Sequence, residues 1–190
     1  MSTWSPMPHT TRRRFLSTLA IAAPALALHW PAFAAAPDAG LPAGTRALSF
    51  LHTHTGEHLS VEHATGGRYF PDALATIDHF LRDFRTGDVH TIDRRLLDLL
   101  HRLHTATGAS RPFQVISGYR SPQTNAMLRS RSTGVASHSL HMDGQAIDIR
   151  VSDTPLKGLR DAALSLKLGG VGYYPASDFV HVDTGRVRRW

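Results

Sequence analysis

Two short segments, residues 145–151 (QAIDIRV) and 179–183 (FVHVD), alternate apolar and polar side chains. A strand turns successive side chains to opposite faces. This alternation therefore describes a sheet with one face in a core and the other free to carry chemistry. In the first segment Ile147, Ile149 and Val151 point inward, and Ala146, Asp148 and Arg150 point outward. In the second, Val180 and Val182 point inward, and His181 and Asp183 outward. His141 stands seven residues before Asp148. Gly144 permits a turn between them, and Ala146 is too small to obstruct. If the two strands are neighbours, His141, Asp148 and His181 meet on the open face of the sheet. Two imidazoles and a carboxylate suit Zn²⁺ and leave a fourth position open. If the strands are apart, these are unrelated surface residues in a chain with 13 histidines.

The rest of the chain supports such a sheet. RALSFLHTHTGEHLSVEH, residues 46–63, alternates on both sides of Thr55-Gly56 and predicts a β-hairpin. Pro71-Asp72 opens a helix with Leu74, Ile77, Phe80, Leu81 and Phe84 at helical spacing. Thr91 is placed to cap a second helix, whose stripe is Ile92, Leu96, Leu99, Leu100 and Leu103 and whose stop is Gly108. Then come a strand at 113–116, a loop SGYRSPQTN and a helix from Ser121-Pro122. A polar loop follows over 132–142, then the strand to Val151, a helix over 155–168, and strands VGYY and FVHVD. Short strands with helices between them indicate an α+β fold, a small, mainly antiparallel sheet with flanking helices, on whose open face the zinc site would lie.

Residues 1–34 read as a secretory leader, with basic Arg12-Arg13-Arg14, a short apolar run broken by Pro24, and Ala32-Phe33-Ala34 as the cleavage site. TRRRFL resembles a twin-arginine export signal, with Ser17 where Lys is usual; a Sec signal carrying three arginines is the alternative. The apolar run is shorter than the roughly 20 residues a transmembrane helix needs. Residues 35–44 form a linker, 45–110 a hairpin-and-helix section packed on the remainder, and 111–190 the core that holds the site. The chain has 21 basic and 15 acidic residues; without the three leader arginines the balance is +3. No Lys/Arg cluster interleaves with aromatics, which argues against nucleic acid. The terminal RVRRW reads as a solvated tail, with Trp190 packing on the sheet. The absence of cysteine excludes disulfides, thiolate metal sites and cysteine nucleophiles.

Three motifs stand in order between 117 and 185. SLHMDGQAID fits S-x-H-x-x-G-x-A-x-D, the first zinc motif of the D-alanyl-D-alanine zinc peptidase group, which is related to lysostaphin-type endopeptidases and the hedgehog domain. SGYRSPQTN resembles its substrate loop, and GGVGYYPASDFVHVDTG its second zinc motif. The whole stretch most resembles the twin-arginine-exported murein endopeptidases of Gram-negative bacteria. The resemblance implies zinc on His141, Asp148 and His181, and Arg120 polarising a scissile carbonyl or holding a substrate carboxylate. It also implies Ser139 near the substrate. Tyr119 is a candidate for lining the cleft. Relatives place an acidic base three residues before the last His, where Asp178 stands. Three residues put Asp178 and His181 on opposite faces of a regular strand, so Asp178 must lie on the turn around 175–177. Asp183 is the competing base, or a partner that orients His181. The implied protein is a monomeric periplasmic zinc endopeptidase acting on peptidoglycan peptide stems. The alternatives are a zinc D,D-carboxypeptidase and a non-catalytic wall-binding module. His138 reads as a pocket-lining or exposed residue, and His52 and His54 as exposed hairpin positions.

Overall fold

The computed structural model describes residues 44–132 and 134–190, together with Met1. The leader assignment and most of the linker lie outside the described residues. Among the described residues no helix is long and apolar enough to cross a membrane.

The hairpin forms as the alternation predicts. Strand β1 (Thr45–His52) pairs antiparallel with β2 (His58–Thr65), and Gly56 takes a left-handed φ of 73° in the turn. His52 is buried rather than exposed, and its Nδ1 accepts the backbone N–H groups of His54 and Thr55, which holds the turn. A short strand β3 (Arg68–Tyr69) extends the hairpin.

Helix α1 (Pro71–Phe80) ends before the apolar spacing does. Asp83 turns its carboxylate to the backbone N–H groups of Arg85 and Ser121 and to the Ser121 hydroxyl, which draws the chain out of the helix. Phe84 stacks instead on His54, with ring centroids 4.2 Å apart. Helix α2 (Arg94–Thr107) is capped by Asp93, not Thr91. The Asp93 carboxylate accepts the Arg95 N–H at 2.9 Å, whereas the Ile92 N–H beside Thr91 goes to Asp78. A charged acceptor at the helix start also complements the helix dipole. Gly108 closes α2 in the left-handed region.

The remaining elements are β4 (Phe113–Ser117), α3 (Pro122–Arg131), β5 (Ala146–Val151), α4 (Leu156–Leu166), β6 (Gly170–Tyr174), β7 (Phe179–Asp183) and β8 (Arg188–Arg189). Among the described residues all eight strands join one sheet in the order β3-β2-β1-β4-β5-β7-β6-β8. The architecture is α+β and mainly antiparallel, but the sheet is larger than the sequence suggests. The hairpin continues it, because β1 pairs parallel with β4 through Phe50↔Phe113, Leu51↔Gln114 and His52↔Val115. The predicted tail is in part a strand, since β8 pairs parallel with β6.

One face of the sheet carries the core. Leu48, Phe50, Phe113, Val115, Ile147, Ile149, Val180 and Val182 pack there with Leu96, Leu100 and Leu103 of α2 and Leu159 of α4. Full burial of such a side chain stabilises by about 1.5–3 kcal/mol. The opposite face around β5 and β7 is left to polar groups.

A buried histidine in the hairpin gives the fold a pH signature. His63 is fully buried and neither ring nitrogen has a hydrogen-bond partner. Burial, with the nearby charges of Arg46 and His101, pulls its pKa down to about 4. The unfolded chain takes up this proton near pH 6.5, where the folded chain does not. Stability is therefore fully present above pH 6.5 and falls as the pH drops towards 4. This one group contributes at most about 3 kcal/mol to that fall, less as solvent screens the ring. Urea melts of wild type and His63→Leu between pH 4 and 8 should show the slope reduced in the variant; an unchanged slope would exclude His63 as its source.

Candidate metal centre

Register brings the predicted ligands together. In the β5–β7 pairing Asp148 lies opposite His181, and Ala146 opposite Asp183. Asp148 is 6% exposed and His141 2%. His141 enters from a 3-10 turn, Leu140–Asp143, that ends at Gly144 with φ 65°. A side chain at 144 would meet the backbone carbonyl of Thr91, so the position requires glycine on two counts, conformation and space.

The three ligand atoms form a near-equilateral triangle. His141 Nε2 lies 3.2 Å from His181 Nδ1 and 3.3 Å from Asp148 Oδ1, and His181 Nδ1 lies 2.9 Å from the same oxygen. Tetrahedral zinc with bonds of about 2.0–2.1 Å spaces its ligands about 3.3 Å apart.

The outer hydrogen bonds decide which nitrogens face inward. His141 Nδ1 lies 2.7 Å from the Gly118 carbonyl, which can only accept, so Nδ1 carries the proton and Nε2 presents its lone pair. His181 Nε2 lies 3.0 Å from Asp183 Oδ2, so Nε2–H donates there and Nδ1 turns inward. Two imidazole lone pairs and a carboxylate oxygen thus converge on one point. A cation relieves that repulsion, so this donor set fits a divalent metal.

The electrostatics agree. Burial alone would raise the Asp148 carboxyl, but the two imidazoles beside it outweigh burial and hold it well below the usual carboxylate range. Burial disfavours a charged His141. Burial likewise opposes a charged His181, but Asp148 and Asp183 flank it and raise its pKa overall. Metal and proton compete for that site. Asp183 is fully buried and saturated. Oδ1 accepts from the Gly170 and Gly185 N–H groups and from Arg188, and Oδ2 from His181 and Arg188.

The triad opens into a cleft of about 510 Å³ also lined by Arg120, Ser139, His138 and Trp190. The Arg120 side chain is 11% exposed, with Nη2 3.5 Å from Asp148 Oδ2 and Nε buried without a partner. Ser139 precedes the 3-10 turn and its carbonyl accepts the Met142 N–H. Asp178 stands at the end of the turn Pro175–Ser177, in the left-handed region with φ 54°. Its carboxylate lies outward, accepting from Arg150 Nη1 at 2.8 Å, while its neighbours Ser177 and Phe179 line the cleft. Tyr119 is not brought to the cleft; it stacks on His90 at 4.7 Å and packs against the core.

Trp190 packs on the sheet at Gly172 as its reading expects, but two roles escaped the sequence. Arg188 binds Asp183 with both terminal nitrogens, and Trp190 lines the cleft beside His181. Their only sequence signal was RVRRW following the second zinc motif within a few residues.

With this geometry in place, residues 41–190 match the family described as peptidoglycan L,D-endopeptidase MepK. The chain belongs to that family. Its relatives include the peptidoglycan L,D-endopeptidase MepK of Escherichia coli (strain K12), 44% identical over 179 residues, which are 94% of this chain and 96% of that protein. The probable peptidoglycan L,D-endopeptidase MepK of Haemophilus influenzae is 45% identical over 146 residues, 76% of this chain and 78% of that protein. The MepK match takes in every strand and all three ligand candidates.

Gly144→Ala tests the turn that delivers His141. It should destabilise the fold by about 1–3 kcal/mol, given the strained φ, and lower metal content as His141 shifts. A thermal melt with metal analysis on the same sample checks both; wild-type values for both would show that the turn tolerates a side chain.

Proposed function

We propose that this chain is a periplasmic zinc peptidase, monomeric and exported by its leader, that cleaves L,D bonds in peptidoglycan peptide stems. The observation that carries the reading is the convergence of His141 Nε2, Asp148 Oδ1 and His181 Nδ1 on one point, floored by the sheet and open to a cleft. Membership of the MepK family, and the names of its relatives, supply the substrate class.

His141, Asp148 and His181 hold the metal. When bound, zinc supplies a Lewis acid for a peptide carbonyl and makes water nucleophilic near neutral pH. Asp183 fixes the His181 tautomer and, with every oxygen already bonded, has no capacity left for substrate protons. Arg120, which lines the cleft with its Nη2 3.5 Å from Asp148 Oδ2, polarises the scissile carbonyl or holds a substrate carboxylate. Ser139 positions the peptide. Asp178 is the base: it stands between the cleft-lining residues Ser177 and Phe179 and keeps solvent access, its side chain 64% exposed. It takes a proton from the attacking water and delivers it to the leaving amine. Arg150 holds it on the rim until substrate enters.

The test incubates zinc-loaded protein with purified crosslinked muropeptide dimers, with and without chelator, and reads products by mass. Chelator-sensitive conversion of dimers to monomers is expected, with fragment masses that identify an L,D bond. Release of a single terminal alanine would instead make the protein a carboxypeptidase. Zinc binding without any product would leave a wall-binding module.

The two acids separate in the same assay. Asp178→Asn should keep its zinc and lose about 100-fold or more in turnover. Asp183→Asn should instead weaken zinc binding by about 10–100-fold. Full activity in Asp178→Asn would remove it from the mechanism.

A further inference from the structure

Trp190 lines the cleft, yet none of the roles above uses it. It is 49% exposed, but it is not a loose side chain. Its backbone N–H donates to the Val171 carbonyl at 3.3 Å, and its own carbonyl accepts the Tyr173 N–H at 3.1 Å, which ties it to β6. Its indole Nε1–H donates to the Tyr174 hydroxyl at 2.6 Å. The Arg188 guanidinium lies 4.8 Å from the ring centre while its nitrogens hold Asp183.

The sheet is shaped to receive this ring. The indole lies against Gly172, where any Cβ would come within 2.8 Å of indole atoms. Gly172 is the cross-strand partner of His181. The ring therefore settles beside a ligand candidate, its centroid 5.3 Å from that of His181. Four restraints fix an aromatic surface whose other half opens to the cleft. A fixed, half-exposed aromatic loses little conformational entropy when a ligand covers it.

We propose that Trp190 is a substrate-contact residue, the wall on the His181 side of the cleft against which the apolar flank of the peptide packs. The inference rests on the peptidase reading above. Arg188 and Arg120, which line the same cleft, suit a peptide whose aliphatic stems end in carboxylates. The contact orients the peptide relative to the triad and acts on substrate binding rather than on the metal.

The chain offers a direct probe. Its three tryptophans stand at positions 4, 30 and 190. In the full chain, Trp4→Phe with Trp30→Phe leaves Trp190 as the sole tryptophan. This zinc-loaded double variant is mixed in stopped flow, in excess, with purified crosslinked muropeptide dimer. Trp190 emission should change in a phase that precedes the appearance of monomer. Consumption of dimer with unchanged emission would overturn the proposal. If wild type consumes no dimer, the peptidase reading itself fails and the proposal falls with it.

Steady-state kinetics supply the second readout. Trp190→Ala should raise KM about tenfold or more, with kcat within a few-fold and zinc content unchanged. Trp190→Phe keeps an apolar face but loses the bond to Tyr174, and its KM should fall between the two. A purely structural tryptophan would lower the melting temperature and the zinc content while leaving KM alone, and that pattern would overturn the assignment.

Discussion

In the antiparallel pairing of β5 with β7, Asp148 faces His181 on one side of the sheet, while Ile147 faces Val182 and Ile149 faces Val180 on the other. The same register thus sets both the core and the candidate metal centre. A slip of one residue would turn every side chain of one strand over. It would bury Asp148 or His181 among leucines and expose β-branched residues that α2 and α4 now cover. The apolar pairs hold the register, and the register holds the three candidate ligands together. Stability and chemistry share one constraint here.

What the register leaves open is the orientation of each ring, and hydrogen bonds from outside the triad settle it. The Gly118 carbonyl fixes His141, and Asp183 fixes His181. Asp183 is fixed in turn by Arg188 and by two backbone N–H groups. This chain of support runs to the edge of the sheet, where β8 pairs with β6. The last strand is short, but it carries the guanidinium that neutralises a fully buried carboxylate. Without that cation the buried charge would be uncompensated, a costly state in a low-dielectric interior.

The legible parts of this molecule were those written in local periodicity. Period-two alternation placed Asp148 and His181 on one face and Ile147 and Val182 on the other. Helical spacing gave the buried stripe of α2, and motif resemblance gave the family and named the three residues that the fold brings together. What sequence did not show depends on partners far along the chain. The parallel pairing of β1 with β4 joins residues more than sixty positions apart, and no local pattern announces it. Asp93 replaced Thr91 as the cap because the Asp93 N–H, which a cap at Thr91 would accept, is taken by the Gly144 carbonyl far along the chain. Tyr119 reads as a cleft residue by its place in the loop, but His90 stacks on it and draws it to the core. RVRRW reads as a charged tail because nothing local reveals that Asp183 awaits a cation.

The two acids of the second motif show how environment divides labour between like groups. Asp178 and Asp183 are five residues apart on the same strand and its turn. Asp183 is fully buried, and five hydrogen bonds hold its carboxylate well below the usual range, so it stays ionised and immobile. Such a group can orient an imidazole but cannot move a proton. Asp178 lies on a turn at the rim with a single ion pair to Arg150. An exposed pair of this kind is worth only about 0–1 kcal/mol, so releasing it costs little when substrate arrives. Rigidity is concentrated where a metal needs fixed ligands, and freedom is kept where the proposed base must exchange one partner for another. The positive φ at Asp178 keeps that carboxylate on the turn and out of the strand, where it would have faced the core.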